Sequence, residues 1–350
     1  MIKVLIIDDS SFIRTQVRSL FEGEHDFMVI GEGKDGSEAV TLTKQFKPDI
    51  IILDVEMPNM DGLQAIEQIM DELPTPIVLH TSSTISRKRN LPFEGIQKGA
   101  LDILEKPSIY PYENGMKKDV LNKLRVFAGI KVFKRPKPKP LAVAEPVEEI
   151  ATNAYSDNGA NIPKVLAIAA STGGPKALYD LFQLLPPFLP FPILLVQHIS
   201  GTFLENFISW LQNITQVNIK AARDGEQIAA NNCYLSPGAY HLTVKSPGII
   251  QLQDSPSVNS CKPSADVLFE SIVKVYGRNA LGIVLTGIGE DGARGLLKMK
   301  EFGNHTVAQD KDSSVAFGMP GKAIELNAAG YVGSIRDIAA HIQKQFHLSA

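Results

Sequence analysis

Short apolar runs that stop on a carboxylate or a lysine constrain this chain more than any other feature. Val4-Leu5-Ile6-Ile7 stops at Asp8-Asp9, Ile50-Ile51-Ile52-Leu53 stops at Asp54, and Ile103-Leu104 is followed by Lys106-Pro107. Continuous apolar runs of this length read as strands buried on both faces, the texture of a parallel sheet. Strand C-termini of a parallel sheet converge on one edge, so the three aspartates and the lysine fall in one pocket. Clustered carboxylates repel one another and require a hard cation such as Mg²⁺, held through oxygen. A cation beside a free carboxylate and a lysine is a place to hold a phosphoryl group. The start of the chain therefore reads as a phosphorylation switch that controls something further along.

Strand-like runs at 3–7, 27–31, 49–54, 76–81 and 102–105 alternate with helical stretches at 11–22, 36–46, 62–71, 90–99 and 116–133. Such alternation predicts a doubly wound α/β sheet. Pro92 fits only if the fourth helix begins near it. The texture then changes: Lys131 to Pro140 reads KVFKRPKPKP, and an acidic stretch runs on to Asn161. That is the composition of an extended, solvated linker, and its basic residues lack the aromatic interleaving of a nucleic-acid arm. The predicted boundaries are a first domain at 1–133, a linker at 134–161 and a second α/β domain at 162–350. In the second domain, strands are expected at 164–170, 193–197 and 281–286, and helices at 174–185, 202–211, 264–276 and 291–301. Short strands and turns fill 217–253.

A length of 350 residues suits two domains. The net charge of -3 argues against a nucleic-acid-binding chain. Two cysteines, Cys233 and Cys261, make no disulfide scaffold and no CxxC metal pair, which fits a reducing compartment. The N-terminus carries two aspartates where a signal peptide needs an apolar core, and no apolar stretch approaches the roughly 20 residues that span a bilayer. The expected location is the cytoplasm, from which a substrate at a membrane would be visited.

The pattern Asp8-Asp9, Asp54, Thr81 and Lys106-Pro107 resembles the receiver domain of bacterial response regulators, a flavodoxin-like five-stranded parallel sheet. The resemblance implies that Asp54 accepts a phosphoryl group from a histidine kinase. It implies that Asp8, Asp9, Asp54 and the backbone carbonyl of Glu56 hold Mg²⁺, that Lys106 pairs with the phosphoryl oxygens, and that Thr81 donates its hydroxyl to them on switching. The bland alternative, in which each aspartate merely caps the following helix, explains one such residue better than three with a lysine. Receivers often carry an aromatic three residues before the lysine; here Ile103 stands there, which bears on the aromatic rotation switch and not on phosphorylation.

Three places in the second domain invite chemistry. Ala169-Ala170-Ser171-Thr172-Gly173-Gly174-Pro175 follows a strand and opens a helix. Its serine reads as a nucleophile beside free helix N–H groups, as part of a phosphate cradle, or as a plain N-cap. It is not the GxSxG elbow, since Ala169 occupies the first glycine position. Val196-Gln197-His198 ends the next strand, where His198 is either structural or the base that activates Ser171. His241, in the turn-rich Pro237-Gly238-Ala239-Tyr240-His241, is the competing base and reads as a loop or substrate-lining residue. Leu285-Thr286-Gly287-Ile288-Gly289-Glu290-Asp291-Gly292 matches GxGxxG, with Asp310 near the distance of a ribose-binding acid. Glu290 and Asp291 at the helix N-terminus would repel the pyrophosphate that a dinucleotide places there. Asp291 suits instead the orienting of an imidazole, with N-capping as its alternative. Ser171, His198 and Asp291 all end strands of one predicted sheet.

The stretches AASTGGP (169–175), QH (197–198), SPGAYHL (236–242), KPSADVLF (262–269), LTGIGEDGARG (285–295) and AQDKDSSVAFGMP (308–320) resemble the catalytic domain of the chemotaxis methylesterase family, CheB. The whole chain has that family's receiver–linker–esterase layout. The resemblance implies hydrolysis of glutamate γ-methyl esters on methyl-accepting chemotaxis receptors, with methanol released, and in many members deamidation of receptor glutamines. By position, Ser171 is the nucleophile, His198 the general base and then acid, and Asp291 the orienting carboxylate. Backbone N–H groups around His198 and Ile288 form the implied oxyanion hole, with Thr172 nearby. Mg²⁺ is expected for receiver phosphorylation only, and no cofactor for ester hydrolysis. Expected partners are the receptors and a CheA-type chemotaxis histidine kinase, with no nucleic acid, no membrane insertion and a monomeric state. Two departures stand out: Ile288 replaces the usual Met, and Ile199-Ser200 replaces the Met-Pro that usually follows the histidine. The unphosphorylated receiver is expected to lie over the Ser171 edge, and phosphorylation of Asp54 to weaken that contact. Rival readings are a nucleotide-binding output domain, a DNA-binding regulator using the basic linker, and an adaptor that competes for the kinase with a vestigial triad.

Overall fold

In the computed structural model, which describes residues 1–82, 90–134, 164–246 and 248–348, the apolar runs become the strands of two separate parallel sheets. The first sheet holds β1 (Ile2–Ile7), β2 (Phe27–Gly33), β3 (Ile50–Leu53), β4 (Ile77–Thr81) and β5 (Asp102–Glu105), in the order β2-β1-β3-β4-β5. Every neighbouring pair is parallel. Its helices are α1 (Ser11–Ser19), α2 (Gly36–Phe46), α3 (Gly62–Glu72), α4 (Leu91–Lys98) and α5 (Asn114–Ala128). Pro92 sits in the first turn of α4, where its missing N–H costs nothing.

Two of these helices are shorter than the sequence pattern predicts. The chain tightens after Ser19, with Leu20 and Phe21 bonding three residues back, and Gly23 at a φ of 82° leads it away. The last helix stops at Ala128 and not at 133, because Gly129 and Ile130 close two such tight turns onto Val126 and Phe127. Residues 135–161 of the predicted linker lie outside the described residues, as do 162 and 163 of the second domain.

The second half carries β6 (Val165–Ala170), β7 (Ile193–Gln197), β8 (Asn218–Ala221), β9 (Asn232–Leu235), β10 (His241–Lys245), β11 (Ile249–Gln253), β12 (Ala280–Val284), β13 (His305–Gln309) and β14 (Tyr331–Gly333). Seven of them form a sheet in the order β14-β13-β12-β6-β7-β9-β8, with every pair parallel. β10 and β11 make a separate antiparallel hairpin. The helices are α6 (Gly174–Leu184), α7 (Leu204–Gln212), α8 (Ala265–Tyr276), α9 (Ala293–Glu301), α10 (Met319–Glu325) and α11 (Ile335–Gln345). β6 is the central strand, and every one of its residues is buried, as is every residue of β7 and β12. Strands added after β6 go to both sides of it, so β6 marks the point where strand order reverses. The crevice at the C-terminal ends of β6, β7 and β12 is where an open α/β sheet places its ligand.

The two halves touch through α4. Phe93 is fully buried, with its ring centroid 5.4 Å from Phe207 and 5.3 Å from Trp210 on α7. Ile96 joins the same apolar cluster, Gln97 hydrogen-bonds Tyr179, and Glu105 accepts from the Thr202 hydroxyl at 2.8 Å. Among the described residues no helix is long and apolar enough to cross a membrane.

Candidate active site and receiver pocket

The receiver pocket forms where β1, β3 and β5 end. The ammonium of Lys106 lies 2.7 Å from Asp8 Oδ2 and 2.7 Å from Asp54 Oδ2. Burial is the largest influence on both carboxyls and raises their pKa, Asp54 to about 6, against the opposing pull of Lys106. Carboxylate oxygens of Asp8, Asp9 and Asp54 all lie within 4.8 Å of one another. One lysine cannot balance three carboxylates, and an oxygen-only donor set of this size fits Mg²⁺. Thr81 is buried at the end of β4, where its carbonyl accepts the Lys106 N–H at 2.9 Å. Glu56 is exposed on the loop that leaves β3.

Ser171 stands one residue beyond β6, and its N–H donates to the Thr286 carbonyl at 3.0 Å. It does not cap α6. That place belongs to Gly173, at a φ of 74° and with no side-chain cap bond. A Cβ on Gly173 would meet Val315 Cβ at 2.4 Å, so both the backbone angle and the space exclude a larger residue. Across the crevice space alone excludes a side chain, since a Cβ on Gly287 would meet Met319 Sδ at 2.2 Å and Ser171 Cβ at 2.8 Å.

His198 stands one residue beyond β7. Its imidazole Nε2 hydrogen-bonds Asp291 Oδ2 at 3.0 Å. No hydrogen bond joins the imidazole to the Ser171 hydroxyl among the described residues. Asp291 is 2 % exposed and precedes α9 by two residues. Its capping alternative is realised in an unexpected way: it caps a different helix. Asp291 Oδ1 accepts the Ser264 hydroxyl at 2.6 Å and Oδ2 accepts the Ala265 N–H at 2.6 Å, both at the start of α8. The α9 cap is Gly292. Burial pushes the Asp291 carboxyl up, but the bonds from His198, Ser264 and Ala265 outweigh it and hold the pKa below the usual range. Burial likewise opposes the His198 cation, but Asp291 and the neighbouring Cys261 prevail and raise the imidazole to about 9.

Gln197, to which the sequence pattern assigns no role of its own, ties the serine to the histidine. Its side-chain amide donates to the Ser171 carbonyl at 2.9 Å and to the His198 carbonyl at 3.1 Å. The only sequence signal was a buried polar residue ending an apolar strand. Two other placements correct expectations. The His198 N–H donates to Ala170 at 3.0 Å and is committed to the sheet, so it is not free for an oxyanion. The Ile288 N–H has no such partner among the described backbone bonds. His241 is no loop residue: it begins β10, is fully buried, accepts the Ser264 N–H at 3.0 Å, and donates to the Pro256 carbonyl at 3.0 Å. Asp310 accepts from the Ser313 backbone and hydroxyl within its own turn.

The receiver closes one side of this crevice. Thr172 is buried next to Asp102 of β5, although its hydroxyl has no partner at bonding distance. Burial dominates at Asp102 and raises its carboxyl, with the Lys123 charge and the bond from the Ile103 N–H opposing. Val315, against which Gly173 packs, also packs on the receiver core.

Residues 166–342 match the family model described as CheB methylesterase, and residues 4–111 match the response regulator receiver domain. A Syntrophus aciditrophicus protein named protein-glutamate methylesterase/protein-glutamine glutaminase 1 is 36% identical over 339 residues, covering 95% of each chain. A Chromohalobacter salexigens protein named protein-glutamate methylesterase/protein-glutamine glutaminase is 36% identical over 352 residues, covering 99% of this chain and 97% of the other. The crystal structure of the Thermotoga maritima CheB methylesterase catalytic domain aligns with a TM-score of 0.50 at 32% identity, covering 52% of this chain and 98% of that one. A receiver sheet joined to a second parallel sheet of this kind defines a response regulator that carries its own enzymatic output. The chain belongs to the CheB methylesterase family.

Proposed function

We propose that this protein hydrolyses glutamate γ-methyl esters on methyl-accepting chemotaxis receptors, and deamidates glutamines there, as the adaptation enzyme of a chemosensory pathway. The observation that carries the reading is the His198–Asp291 hydrogen bond, 3.0 Å long, at strand ends that flank Ser171. In the proposed reaction, His198 acts in its neutral form, the minor one at neutral pH for an imidazole raised to about 9, and accepts the proton of Ser171 as the hydroxyl attacks the ester carbonyl. Asp291 holds the ring and stabilises the imidazolium that forms. The oxyanion is placed against the Ile288 N–H, with Thr172 alongside. His198 then returns its proton to the leaving methanol, and water releases the acyl group from Ser171 by the same steps in reverse. No cofactor is proposed for this chemistry.

Regulation is assigned to Asp54. A CheA-type histidine kinase supplies the phosphoryl group, and Asp8, Asp9, Asp54 and the Glu56 carbonyl would hold Mg²⁺, which when bound neutralises phosphoryl oxygens. Lys106 and Thr81 read the phosphorylated state. In the resting form, the receiver face that carries Phe93, Asp102 and Glu105 covers the crevice, and phosphorylation biases it open. Domains at 1–133 and 162–350 with a linker at 134–161, a cytoplasmic location and a monomeric state complete the proposal. Methanol release from membranes bearing methylated receptors tests it: wild type should release methanol and Ser171→Ala should not.

A further inference from the structure

Cys261 has no place in the chemistry above, yet it stands beside it. Its Sγ, a ring nitrogen of His198 and a carboxylate oxygen of Asp291 all lie within 4.8 Å of one another. Two ligands of a tetrahedral Zn²⁺ are separated by about 3.5 Å, given metal–ligand bonds of roughly 2.0 to 2.3 Å. Small side-chain adjustments therefore bring the three atoms onto one ion. The set is thiolate, imidazole and carboxylate, which suits a borderline-soft transition metal and not Mg²⁺.

The surroundings hold this set in place. Cys261 closes a two-residue turn, with its N–H and carbonyl paired to Val258 at 2.8 and 3.0 Å. Asn259 and Ser260 within the turn have φ of 50° and 62°. The next residue, Lys262, is paired with Asp254 at 2.5 Å, so its charge is partly neutralised near the site. Ser264 and Ala265 fix the Asp291 carboxylate, and the buried His241 holds the Ser264 N–H. Such outer partners orient ligands in metal sites. Cys261 is half-buried, and the His198 side chain is 18% exposed, so an ion has a way in.

We propose that His198, Cys261 and Asp291 form a binding site for Zn²⁺ or a similar transition metal, and that occupancy shuts off ester hydrolysis. Binding displaces the thiol proton and, from a protonated imidazole, the one on the ligating nitrogen, while the other ring N–H stays; the displaced protons pass to solvent and nothing is oxidised. An imidazole nitrogen bound to metal no longer accepts the serine proton. The inhibitory half rests on the hydrolase reading, whereas the binding half does not.

The test uses the full-length chain stripped of metal and titrated with Co²⁺ alone. A thiolate ligand gives a sulfur-to-cobalt charge-transfer band in the near ultraviolet, which the carboxylates of the receiver pocket cannot give. Wild type and Ser171→Ala should develop the band, and Cys261→Ser and Cys261→Ala should not. In parallel, Zn²⁺ should inhibit wild-type methanol release, and each Cys261 variant, measured against its own zinc-free rate, should need about tenfold more Zn²⁺ or higher. A wild-type spectrum that matches Cys261→Ala at every Co²⁺ concentration overturns the site. An unchanged zinc midpoint in both Cys261 variants overturns the inhibition. If stripped wild type releases no methanol but shows the band, the site stands and the hydrolase reading falls.

Discussion

The side-chain amide of Gln197 donates to the main-chain carbonyl of Ser171 at 2.9 Å, and its second hydrogen reaches the His198 carbonyl at 3.1 Å. One buried residue thus sets the separation of the two strand ends on which the proposed nucleophile and base sit. Displacements near 1 Å in such arrangements cost about a hundredfold in rate. Gln197→Leu keeps the volume and removes both donors. It should lower kcat by about ten- to hundredfold with little change in KM, and destabilise the fold by about 1–3 kcal/mol. Steady-state methanol release and urea unfolding measure the two effects. An unchanged kcat in a folded variant would remove Gln197 from the account.

Asp291 serves His198 and the start of α8 together. Asn at this position retains one acceptor for the helix but presents the wrong partner to the ring. Asp291→Asn should therefore cost about ten-thousandfold in kcat and only about 1 kcal/mol in stability. A loss of stability large enough to account for the lost activity would make Asp291 structural.

Trp210 is the chain's single tryptophan, and Phe93 of the receiver stacks against it at 5.3 Å. Phosphodonor with Mg²⁺ should shift its fluorescence to longer wavelength as Phe93 leaves, and Asp54→Ala should abolish the shift. Phe93→Ala should raise basal methanol release about tenfold and reduce the further gain from phosphodonor. Basal activity equal to wild type in Phe93→Ala would separate this contact from regulation.

His80 is buried in the receiver and hydrogen-bonded to the Tyr112 hydroxyl at 2.6 Å. Burial, then the Lys106 charge, lowers its pKa to about 3. The unfolded chain takes up a proton near the ordinary value of about 6.5, while the folded chain does not. Stability from this group is therefore present above that pH and lost as pH falls from about 6.5 toward 3, at about 1.4 kcal/mol per pH unit. His80→Gln should show a shallower acid dependence. Unfolding free energies of both forms between pH 7 and pH 5 measure the difference, since Asp54, raised to about 6, titrates in this window in both forms and drops out of the comparison. Parallel profiles would contradict the assignment.

Central strands were the most legible part of the fold, because a strand buried on both faces needs an unbroken apolar run, whereas β13 and β14, whose segments HTVAQ and YVG hold no such run, went unread. Val165–Ala170 and Ile193–Gln197 are such runs, and the residues that follow them, Ser171 and His198, had to meet at one edge. Helix ends were less legible: Gly129 stops α5 by local turns that no apolar spacing encodes. Asp291 looked like a cap for the helix it precedes, and only the packing of α8 against α9 reveals the helix it caps. Gln197, His241 and Cys261 were illegible for the same reason. Each acts through a partner distant in sequence, and a buried polar residue on a strand or turn carries no mark of which partner that is.

The most direct measurement is methanol release from membranes carrying methylated receptors, with wild type, Ser171→Ala and Asp54→Ala each compared with and without Mg²⁺ and a small phosphodonor. Release should require Ser171 in every condition, and phosphodonor should raise it only where Asp54 is present. Release that persists in Ser171→Ala would contradict the proposed nucleophile, and stimulation that persists in Asp54→Ala would contradict the proposed switch.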